Sequence, residues 1–131
     1  MNKAFIFDMD GVIIDTERTW ALYEQESYEK LFGKEIAEKV GPTLGMSLPI
    51  IYDVATTYGF SMEREEFYNL SHVKAKSIYE QSAITEGFED LVQKLIAMNF
   101  KIGLVSASPA LWIDLLFVKT NARHFFDYIL S

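Results

Sequence analysis

Two acids separated by a single residue, Asp8 and Asp10, stand in the segment Phe5-Ile6-Phe7-Asp8-Met9-Asp10-Gly11-Val12. In extended backbone, residues two apart point the same way, so this pair presents two carboxylates to one small volume. Two such groups do not both ionise cheaply unless a cation lies between them, which suits them to act as a nucleophile or metal ligand beside a proton donor. Gly11 lets the loop turn back without a Cβ clash. An isolated Asp-x-Asp is more often a solvated loop. This one follows an apolar run, precedes Gly11-Val12, and is followed closely by a second polar cluster, Asp15-Thr16-Glu17. The other candidate is Ser106 in Val105-Ser106-Ala107-Ser108-Pro109, again directly after an apolar run. It reads either as a turn capping the next helix or as an anion contact, and both hold together because a helix N-terminus is itself an anion site.

The elements that position these groups follow from hydrophobic spacing. Residues 3–7 form a short apolar run of the kind expected for a buried strand. From Thr16 to about Phe32, Trp20, Tyr23, Tyr28 and Leu31 recur at helical spacing, with Asp15 or Thr16 as cap. A second helix is marked by Ser47, Pro49, the stripe Ile50, Val54 and Tyr58, and the stop Gly59. Ser61 opens a third through Phe67, Leu70 and Ile78, so residues 16–84 form an all-helical insert that reads as a lid. After Gly87, the positions Phe88, Leu91, Val92, Leu95 and Met98 give an amphipathic helix, followed by a strand over 101–105. Pro109 starts a helix carrying Leu111, Trp112, Leu115 and Leu116, Asn121 lies near its end, and 127–130 form a third strand. Apolar strands alternating with helices imply a parallel sheet whose C-terminal ends open on one side, where Asp8 and Ser106 converge.

Composition narrows the function classes. The chain has 131 residues, half of them hydrophobic, with ten Phe, seven Tyr and two Trp, enough for one core and a small subdomain. Its net charge of −7, with no basic run, speaks against a nucleic-acid partner but not against a small anionic metabolite. The absence of cysteine removes disulfides, thiolate catalysis and Cys-based zinc sites. The start, Met1-Asn2-Lys3, precedes too short an apolar run for a signal peptide, and no run reaches membrane-spanning length, so the chain is expected to be soluble and cytoplasmic. His72 and His124 have no acid or ligand partner at a telling spacing and read as surface or packing residues. Trp20, Tyr23 and Tyr28 read as core of the insert, with Trp20 near enough to reach the cleft.

With the first motif at 8–12, the helical insert, and the second motif at Val105-Ser106-Ala107-Ser108, the chain resembles the haloacid dehalogenase superfamily, in its phosphatase and beta-phosphoglucomutase-like branch. The resemblance implies an α/β fold: a Rossmann-like, three-stranded parallel core from 1–15 and 85–131, incomplete at its C-terminal side, with 16–84 as the inserted cap. It implies that Asp8 is the nucleophile forming an aspartyl-phosphate, and that Asp10 protonates the leaving oxygen and then activates water. Magnesium would be bound by the Asp8 carboxylate and the Asp10 backbone carbonyl. Ser106, with nearby backbone N–H groups such as that of Ala107, would hold a phosphoryl oxygen. Thr43-Leu44-Gly45-Met46-Ser47 resembles the loop that closes over substrate, which puts Gly45, Met46 and Ser47 among the expected contacts; an ordinary helix connection is the other reading.

Beta-phosphoglucomutases typically carry a His where this chain has Trp20 and an Arg where it has Leu48. Both differences weaken a mutase reading, and the resemblance favours hydrolysis of a small phosphorylated metabolite such as a sugar phosphate. In the family a Lys and further acids follow the third strand, whereas this sequence stops at Ser131. The expectation is a chain that is inactive or nearly so by itself, a non-catalytic fragment being the third reading. The family's sheet order would also leave strand one as an open edge that invites self-association.

Overall fold

The structure, a computed structural model, describes residues 3–131, the side chain of Gln25 excepted. Met1 and Asn2 of the expected core segment lie outside the described residues. Strands β1 (Lys3–Phe7), β2 (Phe100–Val105) and β3 (Tyr128–Leu130) form one parallel sheet in the order β1-β2-β3. Register runs from Lys3 opposite Phe100 to Phe7 opposite Leu104, and from Gly103 opposite Tyr128 to Val105 opposite Leu130. Ile102, Gly103 and Leu104 of the central strand are buried, as expected where both neighbours and both faces are covered. Strand β1 was expected to be buried, yet only Phe7 is; Ile6 is 64% exposed, because β1 is paired on one side only within the described sheet.

Four helices fill the interval between β1 and the return to the sheet: α1 (Glu17–Phe32), α2 (Lys34–Val40), α3 (Leu48–Thr57) and α4 (Arg64–Gln81). They form the inserted cap. Its core is aromatic: the Phe67 ring, fully buried, meets Phe32, Tyr52, Phe60 and Tyr68 at centroid distances of 5.9, 5.5, 6.1 and 5.8 Å. Helices α5 (Phe88–Ala97) and α6 (Ala110–Thr120) connect the strands, and the short helix α7 (Ala122–Phe125) leads into β3. Asn121 adopts the left-handed conformation just past α6, its N–H returning to the Phe117 carbonyl, a helix stop of the expected kind. Asp127 pins the start of β3: its carboxylate accepts the Ile102 N–H at 2.9 Å while its own N–H donates to the Ile102 carbonyl.

Several helix faces differ from expectation. In α3 the buried residues are Leu48, Ile51 and Ala55, while Ile50 and Tyr58 are exposed; the true stripe begins at the first helical residue. In α4, Phe67, Ser71, Ala75 and Ile78 face inward and Leu70 outward. This helix opens at Arg64 after Glu63, not at Ser61. Leu91 of α5, Met98 just past its end, and Leu111 of α6 are exposed. The helix α2, bracketed by Gly33 and Gly41, was not anticipated, since seven residues are too few to display a periodicity.

The chain crosses between sheet and cap twice, and the crossings are hydrogen-bonded together. Asp15 N–H donates to the Ala83 carbonyl at 2.8 Å, Thr85 N–H donates to the Ile13 carbonyl at 2.9 Å, and Ile14 bridges Ile84. Truncating Phe67 to Ala should lower stability to urea by about 3–5 kcal/mol, because the cavity opens at the centre of the cap's aromatic cluster. Val73→Ala, on the exposed face of α4, should stay within about 0.5 kcal/mol in the same measurement.

Candidate active site

Strand β1 ends at Phe7, and the next three residues alternate: Met9 is fully buried, while Asp8 is exposed and Asp10 half-buried on the opposite side. The turn is held by the Met9 carbonyl, which accepts the N–H groups of Val12, Ile13 and Ile14, and by Gly11 N–H on the Ile14 carbonyl. Gly11 takes φ +73°, and a Cβ there would lie 2.6 Å from Cδ of Glu17, so the Glu17 side chain lies directly against the glycine.

The two carboxylates are held differently. Asp8 accepts one hydrogen bond, from Met9 N–H to Oδ1 at 2.7 Å. Asp10 accepts three, all from hydroxyls: Thr16 and Tyr79 donate to Oδ1 at 2.7 and 2.6 Å, and Ser108 donates to Oδ2 at 2.7 Å. Burial first, and then the neighbouring Asp10 carboxylate, push the Tyr79 phenol well above its ordinary range, so Tyr79 remains a neutral donor. Thr16 spends its hydroxyl on Asp10 and gives α1 no side-chain cap.

Across from these acids, β2 delivers Ser106, which is buried. Its N–H donates to the Leu130 carbonyl at 3.0 Å, and its Oγ accepts the Ser108 N–H at 3.1 Å, which leaves the hydroxyl proton for another acceptor. The serine that reaches Asp10 is therefore Ser108, for which the sequence offered only a role in the turn.

A cavity of about 240 Å³ lies between the sheet edge and the cap. Asp8, Asp10, Ser106 and Ala107 line it from the core, and Gly45 and Met46 line it from the cap loop. Ser47 does not line it; it precedes α3, its carbonyl accepting the Ile51 N–H. The loop is fastened to α1 by Glu24, whose Oε1 accepts both the N–H (2.8 Å) and the hydroxyl of Thr43. Burial, opposed by a bond to Thr43, pushes the Tyr28 phenol of this wall up to about 12. Trp20 of α1 and Trp112 of α6 also line the cavity, stacked at 5.4 Å and 25°. Trp112 Nε1 donates to His72 Nδ1 at 2.6 Å, so His72 joins cap to core, while His124 meets the Asn121 carbonyl of its own turn and the ring of Phe125.

Among the described residues, no group of three or more His, Cys, Asp or Glu could hold a metal ion. Magnesium needs fewer, because it keeps waters and substrate oxygens and often takes only one or two protein carboxylates. Asp10 accepts hydroxyls on both of its carboxylate oxygens, whereas Asp8 accepts the Met9 N–H on Oδ1 and has its other oxygen to offer such an ion. The donor set fits part of a magnesium shell. Gly11→Ala should destabilise the fold by about 1–2 kcal/mol, the cost of a left-handed residue with a Cβ, and displace Glu17; chemical denaturation and a structure of the variant check this.

The family model described as haloacid dehalogenase-like hydrolase matches residues 5–131. Hexitol phosphatase B of Escherichia coli (strain K12) is 28% identical over 133 residues, covering 98% of this chain and 60% of that protein, so the chain spans well under the full length of that relative. CbbY from Rhodobacter sphaeroides, solved in complex with phosphate, superposes with a TM-score of 0.63 at 14% identity, covering 100% of this chain and 64% of that one. The L-2-haloacid dehalogenase from Xanthobacter autotrophicus gives a TM-score of 0.55 at 14% identity, with 100% and 57% covered. With the family model covering nearly every residue from β1 to the end of β3, the chain belongs to the haloacid dehalogenase-like hydrolases.

Proposed function

We propose that this chain carries the nucleophile and the acid–base group of a magnesium-dependent phosphatase acting on a small phosphorylated metabolite, such as a sugar phosphate. The observation that carries the reading is the convergence of Asp8, Asp10 and Ser106 on one cavity between the sheet edge and the cap. An Asp8 carboxylate oxygen attacks phosphorus, and the bond from phosphorus to the leaving oxygen breaks as that oxygen takes a proton from Asp10. Water then attacks the aspartyl-phosphate, giving its proton back to Asp10, and the bond from Asp8 to phosphorus breaks to release phosphate. Ser106 donates its hydroxyl proton to a phosphoryl oxygen. Asp8 and the Asp10 carbonyl would hold magnesium, which when bound offsets the charge of nucleophile and phosphate. Gly45 and Met46 of the cap loop exclude water from the reacting centre.

Hydrolysis is preferred over phosphosugar mutation because Trp20 and Leu48, both in the cavity wall, stand where mutases of this type carry His and Arg. The test uses the protein as its gene encodes it, with magnesium and a panel of sugar phosphates. Free phosphate should appear, and Asp8→Asn should reduce its rate by about 10³-fold or more. Retained turnover in Asp8→Asn removes Asp8 as nucleophile, and interconversion of sugar phosphates without free phosphate favours the mutase.

A further inference from the structure

The three hydroxyls on Asp10 come from three places: Thr16 at the entrance to the cap, Ser108 behind β2, and Tyr79 near the end of the last cap helix, α4. Tyr79 is 1% exposed, 69 residues along the chain from its partner. A buried hydroxyl without a hydrogen bond is costly, and a phenylalanine would fill the same space, so this hydroxyl is explained by the carboxylate it meets. The residue is tied down at its other end as well, since Lys119 Nζ of α6 donates to its backbone carbonyl at 3.1 Å. Its ring lies 6.3 Å from that of Trp112, which is itself bonded to His72 of α4. The seating of α4 on α6 and the delivery of the Tyr79 hydroxyl are therefore one arrangement.

We infer that Tyr79 is a positioning residue for Asp10, through which the seating of the cap on the core sets the orientation of the acid–base carboxylate. The inference rests on the Asp8 and Asp10 chemistry proposed above. Thr16 and Tyr79 on one oxygen, with Ser108 on the other, fix the plane of the carboxylate. When α4 moves away from α6, Oδ1 keeps only the Thr16 donor and the group is free to turn. Three donors leave one lone-pair site of the Asp10 carboxylate open, on Oδ2, and hold the group so that this site has one direction. Tyr79 is the donor that cap movement can withdraw.

Two measurements on the protein as its gene encodes it decide this. The first is a double-mutant cycle of Tyr79→Phe and Asp10→Ala, read from urea unfolding midpoints. The double variant should lose less than the sum of the single losses, and additivity would overturn the contact. The second compares two leaving groups, because nitrophenolate departs without a proton whereas an alkoxide does not. Tyr79→Phe should slow phosphoryl transfer from glycerol phosphate roughly 10–100-fold with KM within about threefold, yet slow the nitrophenolate burst from para-nitrophenyl phosphate less than about threefold. Equal losses on both esters would make Tyr79 merely structural. If no ester releases phosphate, the Asp8 reading fails, and the unfolding cycle alone decides the Tyr79–Asp10 link.

Discussion

Parallel pairing of β1 with β2 is the constraint from which the site follows. Because Phe7 lies opposite Leu104, both strands end at the same edge of the sheet, and the residues that leave them, Asp8 and Ser106, enter one cavity. An antiparallel pairing would send them to opposite edges. The pairing is secured by side chains that tolerate no water: Phe7, Met9, Ile102 and Leu104 are all buried. Met9 has a double function here. Its side chain goes into the core, which forces Asp8 and Asp10 outward on either side of it, and its carbonyl gathers the three N–H groups that close the loop. The Ser108–Asp10 hydrogen bond then ties the two strand-end loops to each other directly.

The cap completes what the sheet begins. It is inserted between Ile14 and Ile84, two residues that bridge each other, so both crossings sit beside the acid loop. The helices supply Asp10 with a buried phenol, hold the 43–47 loop over the cavity through Glu24, and build an aromatic wall from Trp20 against Trp112 of the core. Four acids, Asp8, Asp10, Glu17 and Glu24, line the cavity, which is a poor environment for an anion unless cationic groups are added. The magnesium ion proposed for Asp8 and the Asp10 carbonyl would be one such group.

Much of this was legible in the sequence. Strands ending in acids or serine, glycine and proline punctuation, and the family resemblance of residues 8–12 and 105–108 were sufficient for the three-stranded parallel sheet and the inserted cap, and six of the seven candidate residues line one cavity. What escaped was decided by tertiary packing. Tyr79 looks like any aromatic on a helix until α4 is laid against α6. Ser108 and Thr16 look like helix-capping residues until Asp10 is found within reach of both. The α3 stripe was displaced by one position because Ile50 and Ile51 are equally apolar, and only the neighbouring helices determine which is covered. Ser47 is not in the cavity wall, although its neighbours Met46 and Leu48 both line it.

Where the phosphoryl group goes is the central claim, and it can be observed directly. The protein as its gene encodes it is mixed with magnesium and para-nitrophenyl phosphate, quenched in acid during turnover, and its peptides mapped by mass spectrometry. The expected result is a phosphoryl group on the peptide containing residues 5–12, located on Asp8 and absent when the ester is omitted. Phosphate release with the phosphoryl group on any other residue, or on none, would contradict the account.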